Sequence, residues 1–244
     1  MSEKRSTGDA PSGETPSGEA QSGEALSGEA FVARLQAEMR ELFGQLGETE
    51  TLESESQGRV DVVTLLKLAL QSEMEASEIA ALWMPSTPEL EAKQVLAHQV
   101  GDEMKHYDLI ARRLGELGED LAGFDPIADG YSPLYHYLRP LRSTVERIAA
   151  GPFAGEAIAE VRNAQFIAFC RSVGDDATAR LYEETIQPEE VHHHEIAAAF
   201  LARHCATPEL QELAAAAARN TLAIADELRT LEKKRTGLSN VPVS

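Results

Sequence analysis

Cysteine is scarce, with Cys170 and Cys205 the two thiols in 244 residues. Two thiols cannot build a disulfide framework, and these two match no zinc-ligand spacing, so a reduced, cytoplasmic setting is expected. Positive charge is scarce as well. The chain has 22 Lys and Arg against 41 Asp and Glu, a formal net charge of −19. Such a chain repels phosphate backbones and anionic lipid, which argues against a nucleic-acid or membrane-surface partner. Long apolar runs are missing, since no stretch reaches the roughly 18 residues of a membrane span. The opening MSEKRSTGDA holds no apolar signal core, so neither export by that route nor a membrane-spanning chain is expected. Also missing are sustained period-two alternation, a Gly-rich phosphate loop and a Ser-His-Asp arrangement.

What remains is helical text behind a low-complexity start. Residues 11–30 repeat PSGET, PSGEA, QSGEA, LSGEA, with almost nothing to bury. That composition cannot offset chain entropy, so residues 1–30 are expected to be a disordered tail. Residues 31–236 are expected to form one helical domain, and 237–244 a flexible end. Phe31, Leu35, Met39, Leu42, Phe43 and Leu46 predict a short amphipathic helix over 31–46, followed by a polar linker. Longer helices are predicted over 60–84 and 88–114, with Thr87 capping and Pro88 opening the second. Residues 118–133 read as loop. Helical text from Pro133 to Val173 is expected to break at Pro140 and at Gly151-Pro152. Further helices are predicted over 176–204 and, after the cap Thr207, over 208–234. Two antiparallel hairpins joined by a long crossover give an all-α fold, a four-helix bundle with an extra C-terminal and a short N-terminal helix.

Two of these helices carry Glu-x-x-His, as Glu103-Met104-Lys105-His106 and Glu190-Val191-His192-His193. Residues three apart share a helix face, so each pair can grip one ion. Each motif follows 30 residues after another glutamate, Glu73 and Glu160 respectively. A gapless shift of 87 residues lays Glu73 on Glu160, Asp102 on Glu189, Glu103 on Glu190 and His106 on His193. An internal repeat of this kind predicts a pseudo-two-fold bundle with its site on the axis. The expected ligands are Glu73, Glu103, His106, Glu160, Glu190 and His193. Glu75 and Glu78 stand as alternatives to Glu73, and Glu156 as the alternative to Glu160. Four carboxylates in a core are costly alone, and two divalent cations would neutralise them. Carboxylate with imidazole suits iron or manganese. Asp102 and Glu189 are the candidates for orienting the histidines from outside. Tyr107 and Tyr182 read as core or boundary packing, with a redox or hydrogen-bonding role as the alternative. Pro188 reads equally as a tolerated kink or as a device that frees carbonyls near the site.

On Glu73, Glu103-x-x-His106, Glu160 and Glu190-x-x-His193, the stretch 60–205 resembles the ferritin-like di-iron carboxylate superfamily. The Asp-Glu-x-x-His form looks like its bacterial monooxygenases, although Lys105 and His192 stand where Arg is frequent. The resemblance implies two iron ions (manganese as the alternative), dioxygen, a small organic substrate and an electron-donor protein, in a chain that can form a homo-oligomer. The leading expectation is therefore a di-iron, dioxygen-dependent oxidoreductase. The alternative is a ferroxidase or iron-storage protein. The long insert and the last helix favour the first.

Overall fold

The computed structural model describes residues 25–47 and 61–236. The expected tail up to residue 24, the polar linker expected over 47–58 from its second residue on, and the flexible end over 237–244 lie outside the described residues. The described residues build an all-helical fold, with no strand among them. No helix there is long and apolar enough to cross a membrane.

Helix α1 (Gly28–Gly47) starts three residues before the predicted 31. A Cβ on Gly28 would lie 1.7 Å from the Ala202 carbonyl oxygen, so this contact needs glycine. Just before it, the Leu26 backbone exchanges two hydrogen bonds with the Gln211 side chain. Phe31, Leu35 and Met39 supply the buried stripe that docks α1.

Helix α2 (Val62–Trp83) is capped by Asp61, whose carboxylate accepts from Thr64 N. A 3₁₀ turn, Met84–Ser86, leads to α3 (Leu90–Glu116). Thr87 does not open α3 as predicted. Its hydroxyl donates to the Trp83 carbonyl and so ends α2, while Glu89 is the residue before the first turn of α3. The crossover folds into α4 (Pro133–Leu138) and α5 (Thr144–Ile148). A π-helical turn, Ala149–Gly155, then runs straight into α6 (Glu156–Ser172). Gly151-Pro152 therefore does not break the helix. The wider π turn absorbs the missing N–H and the ring clash that proline brings to a regular helix.

Helix α7 (Asp176–Leu181) follows a three-residue turn, capped by Asp175. A second π turn, Tyr182–Ile186, joins it to α8 (Gln187–His204). Pro188 falls in the first positions after that turn, so the kink weighed from the sequence is a local widening. Helix α9 (Pro208–Thr236) closes the fold, with the Thr207 hydroxyl accepting from Leu210 N.

The long helices pair as α2 with α3 and α6 with α7–α8, and α3 also packs on α8. Each contributes an inner stripe at three- and four-residue spacing. Leu66, Leu70, Glu73, Ser77 and Ala80 line α2, and Leu96, Gln99, Glu103, His106, Ile110 and Leu114 line α3. The apolar residues fall into two separate clusters. One gathers Trp83, Leu96, Phe153, Phe200 and the α1 and α9 stripes. The other gathers Leu66, Leu70, Ile110, Leu114, Phe166, Tyr182 and Ile186. On each inner stripe the residues between the two clusters are the polar ones, so the charged layer is walled by hydrocarbon above and below.

Candidate metal centre

Glu73, Glu103, His106, Glu156, Glu190 and His193 are all buried. They form two groups of four that share Glu103 and Glu190. The first comprises Glu73, Glu103, His106 and Glu190, and the second Glu103, Glu156, Glu190 and His193, with ligand atoms in each group within 4.8 Å of one another.

The division is visible atom by atom. His106 Nδ1 lies 3.5 Å from Glu73 Oε2, 3.4 Å from Glu103 Oε2 and 3.4 Å from Glu190 Oε1. His193 Nδ1 lies 3.7 Å from Glu103 Oε1 and 3.4 Å from Glu190 Oε2. Glu103 and Glu190 thus each send one oxygen to either histidine, the arrangement of a bridging carboxylate. Atoms about 2.1 Å from a common ion sit about 3.0–3.4 Å apart at octahedral to tetrahedral angles; three of these gaps, at 3.4 Å, meet that range, and those at 3.5 and 3.7 Å are slightly wider.

Eight donor atoms of these six side chains are buried with no hydrogen-bond partner: Glu73 Oε2, both oxygens of Glu103, His106 Nδ1, Glu156 Oε2, both oxygens of Glu190 and His193 Nδ1. Orphaned buried polar atoms are rare and costly in proteins. Here they converge on two points, four to each, which is a donor set for two cations.

The outer nitrogens of the histidines are engaged. His106 Nε2 donates to Glu189 Oε2 at 2.9 Å, and His193 Nε2 to Asp102 Oδ2 at 3.0 Å. Both contacts cross between α3 and α8, so each carboxylate orients the histidine of the other helix. Holding Nε2 as the donor aims the Nδ1 lone pair inward. Lys105 Nζ binds both oxygens of Glu189 and stands 4.0 Å from Asp102 Oδ1, tying the outer acids together at the surface.

Without a cation, the cluster must hold protons. Burial, reinforced by the Glu103 and Glu190 charges, keeps Glu73 well above the usual carboxylate range. Burial and the Glu190 and Glu103 charges do the same to Glu156. Burial alone would lower both histidines. For His106, contacts with Glu103 and Glu73 outweigh it and push the ring up to about 12. For His193, contacts with Glu190 and Glu103 raise it to about 9. Burial would likewise raise Glu103, but the His106 contact prevails and holds it below its ordinary value.

Comparisons with known protein families, with curated proteins and with solved structures find no match. The case for the centre therefore rests on its own geometry.

That geometry gathers five of the six expected ligands together with Glu156, the alternative to Glu160. Glu160 stays outside the cluster, and Glu156, one turn earlier on α6, takes its place. The Glu160 carbonyl accepts from Gln187 Nε2, which puts it level with the start of α8, below Glu190. The two hairpins are not equivalent, and π turns interrupt both arms of the second alone. Six residues (84–89) separate α2 from α3, but only three (173–175) separate α6 from α7. A gapless shift carries the turn onto the turn without carrying the axial levels of the arms.

Glu75 and Glu78 are accounted for elsewhere. Glu75 accepts from Ser132 N at 2.7 Å, from the Ser132 hydroxyl and from Gln71, and so pins the start of α4. Glu78 accepts from the Tyr131 hydroxyl. Tyr182 is core, edge-on to Phe166. His194 donates from Nδ1 to the Phe153 carbonyl and packs on that ring. One residue of the site was not anticipated from the sequence. Gln99 Nε2 donates to Glu156 Oε1 at 2.5 Å. Its signal was its place, four residues before Glu103 on the same face.

Proposed function

We propose that this chain is a ferritin-like two-metal carboxylate protein whose centre, loaded with two iron ions, uses dioxygen to oxidise a small organic substrate. The observation that carries the reading is the eight orphaned donor atoms, split four and four with two carboxylates shared. Two antiparallel hairpins, a long crossover and a Glu-x-x-His on the second arm of each agree with the ferritin-like arrangement. Manganese fits the same donors and is the alternative ion.

When bound, two ferrous ions would supply two of the four electrons that reduction of dioxygen takes, the organic substrate supplying the other two. The chain's own part is positional and electrostatic. Glu103 and Glu190 set the spacing of the two positions by dividing their oxygens. Asp102 and Glu189 fix the tautomer and rotation of the histidines. Four carboxylates at −4 balance two divalent cations at +4, so the loaded core is neutral. The apolar clusters on either side exclude water from the cluster. The folded crossover and α9, which packs on the π turn before Glu156, add structure around the bundle end beyond the four central helices.

The test is anaerobic loading with Fe(II), desalting and metal analysis, then exposure to dioxygen followed by Mössbauer spectroscopy. Two irons per chain should be retained and pass from ferrous to ferric. Iron lost on desalting, or oxidised no faster than with a Glu103→Ala, Glu190→Ala variant, would sink the reading. Many irons per chain in a large shell would instead favour storage.

A further inference from the structure

The two halves of the centre share a plan but differ in the groups behind their ligands. Gln99 is buried on the inner face of α3, and its amide holds Glu156 Oε1. The other oxygen, Oε2, is the one left without a partner, and Glu156 groups with Glu103, Glu190 and His193. Gln99 thus divides this carboxylate into one oxygen held and one oxygen available. The equivalent place in the second half is 99 + 87 = 186, where the chain has Ile186, fully buried and apolar. The neighbouring amide, Gln187, is turned to the Glu160 carbonyl. The equivalent position therefore offers Glu73 no amide donor. A second asymmetry points the same way. Lys105 binds both oxygens of Glu189, the partner of His106, but only approaches Asp102, the partner of His193, to 4.0 Å. The carboxylate behind His193 keeps more of its charge for its imidazole.

We propose that Gln99 is a positioning residue that makes the two metal positions unequal: it fixes Glu156 as a one-oxygen ligand, so the position built on His193 binds a divalent cation more tightly and fills first. This rests on the two-metal reading above. A buried amide donating to a ligating carboxylate orients it and stabilises its ionised form, and outer partners of this kind typically govern metal affinity by about 10–100-fold. If Glu156 swung away, the Gln99 donor would be stranded in the core, which ties the two side chains to one geometry.

Mn(II) is the probe, applied to the full chain. In crystals given one equivalent, anomalous scattering should be stronger at the position beside His193 than beside His106. In solution, loss of the free Mn(II) EPR signal should report two unequal sites. Gln99→Met keeps the side-chain volume and removes the donor. It should weaken the tighter site by about 10–100-fold and leave the other within about threefold, reversing the order of filling. Equal or opposite occupancy in the wild-type crystal, or loss of both sites together in Gln99→Met, overturns the proposal. The wild-type crystal decides it even if the variant does not fold. Wild-type protein that takes up no Mn(II) at either position would instead overturn the two-metal reading itself.

Discussion

Loading the centre should expel about four protons for every two divalent ions. In the metal-free chain, His106 is raised to about 12 and His193 to about 9, so both rings are cationic at neutral pH. Glu73 and Glu156 are held well above the usual carboxylate range by burial. Four protons set against the −4 of four carboxylates leave the core neutral. Two divalent cations do the same work, and a ligating imidazole or carboxylate must first lose its proton. Each ion therefore displaces about two protons.

Linkage makes this measurable. With four protons released, the overall constant for binding two ions rises by up to about four powers of ten per pH unit, or about 5.5 kcal/mol. As pH passes about 9, His193 is already neutral and the release should fall towards three. The assay is calorimetric titration of the apo chain with Mn(II) at pH 7 in buffers of different ionisation enthalpy, where the slope counts protons. Three to four per two ions is the expected value. One or none would show that the buried groups are not protonated as argued, and that something other than proton exchange balances the core.

The same shifts set the stability of the apo chain. His193 is raised in the fold above its ordinary value near 6.5, so its contribution, on the order of 3 kcal/mol, is complete below that value and lost as pH rises through about 9. Glu73 and Glu156, also raised, act in the same direction above their ordinary value. The apo melting temperature should fall from pH 6 to pH 9 and the metal-loaded curve should be flatter; an apo protein that gains stability over that range contradicts the assignment. Glu156→Ala should bind one ion per chain by metal analysis while Glu160→Ala binds two, and the reverse result would restore the gapless repeat. Asp102→Asn should weaken the His193 position by about 10–100-fold in a Mn(II) titration and leave the His106 position nearly unchanged, because the contact crosses between helices.

Much of the bundle was legible because helical periodicity and turn chemistry are local. The stripes of α2, α3 and α8, the glycine and proline stops and the long crossover all follow from spacing within about 20 residues. Thr87 was misread for a local reason too. A hydroxyl beside a helix start can equally cap the helix that precedes it, and here it donates to the Trp83 carbonyl. Pro152 was misjudged because the sequence shows the missing N–H but not the π turn that accommodates it.

The site divides along the same line. Glu103, His106, Glu190 and His193 were readable because three-residue spacing on one helix settles their relation. The choice between Glu156 and Glu160 was not, since it depends on how far α6 slides past α8. A four-residue error along a helix is about 6 Å of rise, more than a carboxylate can span. Residues in a repeat match by pattern, but ligands match by axial level, and the two need not coincide. Gln99 is not signalled by the repeat, whose equivalent position holds Ile186, and it serves a carboxylate whose identity had to be known first. The part of this centre that breaks its symmetry is thus the part that pattern alone could not reach, and it is also where the two metal positions become chemically distinct.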